Sequence, residues 1–128
     1  MSQTPLIACI DDDPTVLEAV EDFLDASGFV TEGYSSAEDF LKSGQVKCAA
    51  CLITDVKLGG ISGLELQERL VTSGVTIPTI IVSAFADEKM RARAFGSGAV
   101  CFLSKPITKD NLLDCIKSAL CRRLGDAG

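Results

Sequence analysis

The sequence predicts an α/β domain built on a doubly wound, five-stranded parallel sheet, and two observations carry that prediction. Five short apolar runs recur along the 128 residues, each followed by a stretch with helical spacing. Four of the five runs are nearly continuous rather than alternating, which is how strands covered on both faces read. A parallel neighbour can be reached only through a crossover, so the repeat is strand then helix, five times, with helices on both faces.

The first strand is Leu6–Ile10. Asp13 caps the helix that follows, with Pro14 in its first turn, Val16, Leu17, Val20, Phe23 and Leu24 along one stripe, and Gly28 as its stop. The second strand, Phe29–Tyr34, includes Thr31, Glu32 and Gly33 and suits an edge. Ser35 or Ser36 opens a short helix through Phe40 and Leu41, ending near Gly44. Ala50–Thr54 is the third strand, and Ser62 opens the third helix, with Leu66 and Leu70 inward. Thr79–Ser83 is the fourth strand. Asp87 opens a small helix, basic on its surface (Lys89, Arg91, Arg93), that stops at Gly96. Ala99–Leu103 is the fifth strand, and Thr108 opens the last helix, buried through Leu112, Leu113, Ile116, Ala119 and Leu120. The expected layout is one domain over 1–128, core 5–122 with a frayed tail, without a linker or an output domain.

Hydrophobic residues make up 47% and charged residues 23% of the chain, a globular balance. A net charge of −6 argues against nucleic acid or an anionic membrane as a direct partner. No stretch approaches the roughly 18 apolar residues of a membrane span, and Met1–Pro5 shows no secretion signal, so the cytoplasm is the expected location. Of the six cysteines, Cys48 and Cys51 form a C-x-x-C, but no second pair has zinc spacing and the chain has no histidine. Cys9, Cys51 and Cys101 lie within strand runs, where a reduced thiol acts as a small hydrophobe.

In such a sheet, ligands bind at the carboxyl ends of the strands. The first strand leads into Asp11-Asp12-Asp13, the third into Thr54-Asp55, the fourth ends at Ser83, and the fifth precedes Ser104-Lys105-Pro106. Taken singly these are ordinary: a solvated loop, a cap, an Asp after a strand. Together they bring three carboxylates (Asp11, Asp12, Asp55), a hydroxyl and an ammonium to one rim. Crowded carboxylates raise each other's pKa unless a cation joins them. Mg²⁺ suits that role, taking one or two carboxylates, waters and a phosphate oxygen. Lys105 adds a positive point charge and Ser83 a donor, describing a phosphoryl site with a carboxylate nucleophile.

These residues resemble the receiver domains of bacterial two-component response regulators. The resemblance runs from Ile7–Asp13 through Leu52–Leu58, Ile61–Leu66, Ile80–Ala84, Gly98-Ala99 and Phe102–Pro106 to the last helix. It implies a flavodoxin-like (βα)5 fold with strand order 2-1-3-4-5. It implies Asp55 as phosphoryl acceptor, and Mg²⁺ held by Asp12 directly, Asp11 partly through water, Asp55 and the Lys57 carbonyl. Ser83 becomes the switch hydroxyl, Phe102 the switch aromatic and Lys105 the phosphoryl contact, with a cis Lys105–Pro106 bond. The implied donor is a sensor histidine kinase or a histidine phosphotransfer protein. A downstream protein reads the 87–122 face, and a homodimer on phosphorylation stays open. Beyond its own phosphorylation and dephosphorylation the domain is not an enzyme. A phosphate shuttle or sink in a phosphorelay is the alternative.

Two departures stand out. Gly59-Gly60 replaces the proline usual in the family, predicting a more mobile loop over 57–62, and the switch aromatic is Phe102 rather than tyrosine. Lys57 and Phe85 would flank the path of attacking water, predicting slow self-dephosphorylation. A haloacid-dehalogenase-type phosphatase would place its nucleophile at the first strand, and no glycine-rich phosphate loop supports a nucleotide-binding module.

Overall fold

The computed structural model describes residues 5–84 and 87–127, with side chains as far as Cys121. The elements are β1 (Leu6–Ile10), α1 (Pro14–Ala26), β2 (Val30–Tyr34), α2 (Ala37–Lys42), β3 (Cys51–Asp55), α3 (Gly63–Thr72), β4 (Thr79–Ser83), α4 (Glu88–Gly96), β5 (Cys101–Ser104) and α5 (Lys109–Ala127). The strands form one sheet in the order β2-β1-β3-β4-β5, every pair parallel, which is the expected topology.

Side-chain alternation along each strand divides the core into two layers. Ile7, Cys9, Cys51, Ile53, Ile80 and Val82 face α1 and α5, meeting Leu24, Leu112, Ile116 and Ala119. Ala8, Ile10 and Leu52 face the opposite side, meeting Phe40 of α2 and Leu66 and Leu70 of α3. A smaller cluster under α4 joins Ile81, Phe102, Ala94 and Leu64. Because both faces are covered, every residue of β3 and of β4 is buried. β2 has the more polar, partly exposed pattern of an edge.

Local chemistry explains where the helices start. Asp13, Ser36, Ser62 and Asp87 each sit in extended backbone and accept a hydrogen bond from a first-turn amide, satisfying a donor that the helix itself cannot. Thr108 does the same for α5, accepting from the Asn111 amide at 3.2 Å.

Several boundaries differ from the sequence prediction: β2 starts at Val30 rather than Phe29, and β3 runs Cys51–Asp55 rather than Ala50–Thr54. β5 starts at Cys101 rather than Ala99 and is only partly buried, because it is the second edge of the sheet. α4 does end at Gly96, but the left-handed turn after it falls at Gly98, φ 101°. α5 continues to Ala127 where a frayed tail from Arg122 was expected.

The cysteines are free; Cys9, Cys51 and Cys115 are buried, Cys101 half-buried, Cys48 and Cys121 exposed. Burial pushes the Cys51 and Cys115 thiols up to about 12 and Cys9 higher still, so these groups stay protonated and act as core atoms. Among the described residues no helix is long and apolar enough to cross a membrane.

Candidate functional site

The carboxyl edge of the sheet gathers the polar residues. Asp11 follows β1, and β3, its neighbour, ends in Asp55, which pairs in register with Val82 of β4. The ladder continues one step further, with the Val56 amide donating to the Val82 carbonyl at 2.9 Å. Ser83 and Ser104 close β4 and β5 side by side, and the Lys105 amide donates to the Ser83 carbonyl at 2.9 Å. The Lys105–Pro106 bond that follows is cis. Register alone therefore sets Asp11, Asp55, Ser83 and Lys105 along one rim.

The side chains meet there. Lys105 Nζ lies 2.6 Å from Asp55 Oδ2 and 3.4 Å from Asp11 Oδ2. The other oxygen of each carboxylate is held by backbone: Asp55 Oδ1 accepts from the Lys57 amide at 3.1 Å, and Asp11 Oδ1 from the Asp13 amide at 2.9 Å. Asp11 and Asp55 are each 8% exposed and Ser83 4%, whereas Asp12 and Lys57 are exposed at the mouth.

Burial raises the Asp11 carboxyl above the usual range; the Asp13 amide and the Lys105 charge oppose that, and the Asp55 charge adds to it. Burial disfavours the charged form of Lys105 as well. There the hydrogen bond and charge of Asp55, then those of Asp11, prevail and hold the ammonium above its ordinary value.

A partly buried pair of carboxylates sharing one cation at the end of a parallel sheet agrees with the family that residues 7–117 match, the response regulator receiver domain. The chain belongs to that family. Receiver domains are phosphorylatable signalling domains, and this chain is one. It is 39% identical over 119 residues to the response regulator protein TmoT of Ectopseudomonas mendocina, covering 92% of this chain and 54% of TmoT. It is 38% identical over 115 residues to TodT of Pseudomonas putida, covering 90% and 51%. The chain thus spans about half the length of these curated relatives. Among solved structures, the response regulator StyR superposes with a TM-score of 0.90 at 34% identity, over 98% of this chain and 63% of that one. FixJ-N gives 0.83 at 28% identity, over 93% and 95%.

In this receiver, the Lys105 side chain brings the sequence-predicted Asp11 and Asp55 carboxylates together, and Lys57 and Ser83 join them through backbone hydrogen bonds. Phe102 lies away from the rim, 7% exposed in the cluster under α4 and beside Ile81 in register. Phe85 falls outside the described residues, and so does the shielding role expected of it. The donors at the rim are all oxygens. Among the described residues no three His, Cys, Asp or Glu side chains gather as a metal cluster. Two carboxylates aimed at one cation do not make a zinc cage but match the sparse protein ligation of Mg²⁺.

Three contributors escaped the sequence reading. A Cβ on Gly63 would run into the Asp55 carbonyl, so the first residue of α3 must be glycine for the helix to close on the acceptor strand. The Gly63 amide donates to the Val56 carbonyl at 3.1 Å, fixing that approach. Thr54 Oγ1 donates to the same Asp55 carbonyl at 3.1 Å. Glu38, on α2, accepts from the Ile61 amide at 3.1 Å across 23 residues of chain. Gly63 stood inside the family-like run Ile61–Leu66 and Thr54 inside Leu52–Leu58, so both were in view without their contacts; nothing near Glu38 in the sequence points to Ile61.

Proposed function

We propose that Asp55 is the phosphoryl acceptor, that Asp11, Asp12, Asp55 and the Lys57 carbonyl hold Mg²⁺, and that Lys105 and Ser83 contact the phosphoryl group. The observation that carries this reading is the Lys105 ammonium held between the Asp55 and Asp11 carboxylates. The bound ion would neutralise phosphoryl oxygens and favour in-line attack. The remaining work falls to the chain. The Asp13 and Lys57 amides orient the two carboxylates before any donor arrives. An Asp55 oxygen forms the new bond to phosphorus as the bond to the donor's nitrogen breaks; that nitrogen keeps the electron pair and takes a proton from water. Lys105 follows the charge, moving its hydrogen bond from the Asp55 carboxylate to a phosphoryl oxygen.

The added charge then draws the Ser83 hydroxyl inward, and the ring of Phe102, one strand away, moves toward the space behind it. A two-state shift follows, read by a downstream protein on the 87–122 face. The donor would be a sensor histidine kinase or a histidine phosphotransfer protein in the cytoplasm. Relatives described as a response regulator protein and, for TdiR of Thauera aromatica at 35% identity, a transcriptional regulatory protein favour a switch over a shuttle.

The test is incubation with acetyl phosphate and Mg²⁺, followed by mass spectrometry. Wild type gains one phosphoryl group, and neither Asp55→Asn nor wild type with chelator does. Equal labelling of Asp55→Asn would end this assignment.

A further inference from the structure

We infer that Glu38 is a positioning residue for the phosphoryl site, clamping the 57–62 loop to α2 so that the loop's backbone is set before Mg²⁺ arrives. The inference rests on the reading of the site above and extends it to a residue outside the rim.

The loop runs from Asp55 to the start of α3. Its base is closed by the Gly63 amide on the Val56 carbonyl and by the bond from the Lys57 amide to Asp55. Its far side is held by Glu38. The Ile61 amide donates to Glu38 Oε2 at 3.1 Å, while Leu58 and Ile61 pack on the apolar cluster that contains Ala37 and Phe40 of α2. The other oxygen, Oε1, is buried with no hydrogen-bond partner among the described residues. Burying a carboxylate oxygen unsatisfied costs free energy, and the bond from Ile61 and the packing of Leu58 and Ile61 offset that cost.

Gly60 supplies the independent observation. A Cβ at Gly60 would run into the Glu38 carboxylate, whereas one at Gly59 would meet nothing within 4 Å. The second glycine therefore leaves the room that the carboxylate occupies, and a Cβ there would push Glu38 aside. In a loop expected to gain freedom from Gly59-Gly60, one of the two admits a carboxylate that removes freedom. The segment so held carries the Lys57 carbonyl, which the proposed Mg²⁺ site uses. Glu38 thus acts on the ion through the backbone it holds.

The experiment compares wild type, Glu38→Ala, Glu38→Gln, Gly60→Ala and the Glu38→Ala/Gly60→Ala double variant. Amide hydrogen exchange over 57–62 is read in magnesium-free buffer, and Mg²⁺ affinity by calorimetry well below each thermal midpoint. Glu38→Ala and Gly60→Ala should each speed exchange in the loop and weaken Mg²⁺ roughly 10-fold, the scale for losing a group that orients a metal ligand. Glu38→Gln, which keeps an acceptor, should restore both. The double variant should be no worse than the worse single one, because both remove the same contact. Unchanged exchange and affinity in Glu38→Ala, or Glu38→Gln as weak as Glu38→Ala, overturns the clamp. If wild type itself binds no Mg²⁺, the proposed site fails instead, and the exchange measurement alone decides whether Glu38 holds the loop.

Discussion

Lys105 Nζ lies 2.6 Å from Asp55 Oδ2 and also reaches Asp11 Oδ2, at 3.4 Å, so one ammonium joins the carboxyl ends of β1 and β3 from beyond β5. The partners stand 50 residues apart in the chain and meet because β4, which lies between β3 and β5, brings the ends of those two strands to the same rim. Their side chains are 25% and 9% exposed, dry enough for the charge to matter for stability as well as chemistry.

Lys105→Met should therefore destabilise the fold by about 1.5–3 kcal/mol at pH 7, the range for hydrogen bonds to charged groups. The Lys105 pKa is raised by folding. Its stabilisation is thus fully present below the unfolded lysine value, about 10.4, and is lost as pH rises through the folded value. Urea midpoints of wild type and Lys105→Met should differ by a constant amount from pH 7 to near 10 and converge above that. A difference that persists unchanged into stronger alkali would mean that the charge of Lys105 is not what stabilises the fold.

Asp11 makes the opposite prediction. Its folded pKa is raised, chiefly by burial, so the fold binds a proton more tightly than the unfolded chain does. Stability from this group falls as pH rises through the carboxylate range and stays lower above it. Asp11→Asn should accordingly stabilise the domain at pH 7 in magnesium-free buffer, with the gain fading as pH drops toward the ordinary aspartate value. With Mg²⁺ bound as proposed, the ranking should reverse. At ten times the dissociation constant, wild type should gain about 1.4 kcal/mol by mass action, and Asp11→Asn much less. Thermal melts with and without Mg²⁺ check both halves, and a destabilised Asp11→Asn would refute the first.

What could be seen in the sequence was what depends on neighbouring residues. Asp13, Ser36, Ser62 and Asp87 are capping side chains beside the amides they accept from, so their positions were readable from local chemistry. Asp55 and Ser83 were readable because they end apolar runs, and parallel strands place such ends on one edge. The exposed flank of β5 was not, since Cys101-Phe102-Leu103 is as apolar as the central strands and only the strand order makes it an edge. The Gly60–Glu38 contact was least visible of all. A pair of glycines looks like freedom until the side chain that fills the space is known.

Gly63 and Gly59 form a matched test of that distinction. Gly63→Ala should cost about 1–3 kcal/mol, as overpacking does, and should slow phosphorylation by displacing the Asp55 backbone that a new Cβ would strike. Gly59→Ala, with open space around it, should be neutral or stabilising by about 0.4–1 kcal/mol through loss of unfolded-state freedom. Chemical denaturation together with initial phosphorylation rates separates the two. Equal effects would mean that α3 does not press tightly on the Asp55 backbone.

Phe102 packs on the α4 side of the sheet, on the strand that ends at the rim in Ser104. Its ring is buried with Val56, Leu64, Ile81, Ala94 and Ala99, so truncation removes packing under α4. Phe102→Ala should cost about 3–5 kcal/mol, the usual range for a buried phenyl. Phe102→Leu retains much of the volume and should cost less. If the ring reports the state of the pocket, Phe102→Leu should still take phosphate at close to the wild-type rate while its α4 and β5 amides shift less on phosphorylation. On the proposed mechanism the rate depends on Asp55, Lys105 and the ion, whereas the shift depends on an aromatic body moving between two packings. Amide spectra recorded with and without beryllium fluoride, which mimics the phosphoryl group, read that movement directly. Full-sized shifts at α4 and β5 in Phe102→Leu would leave the ring as core packing and send the signal by another route.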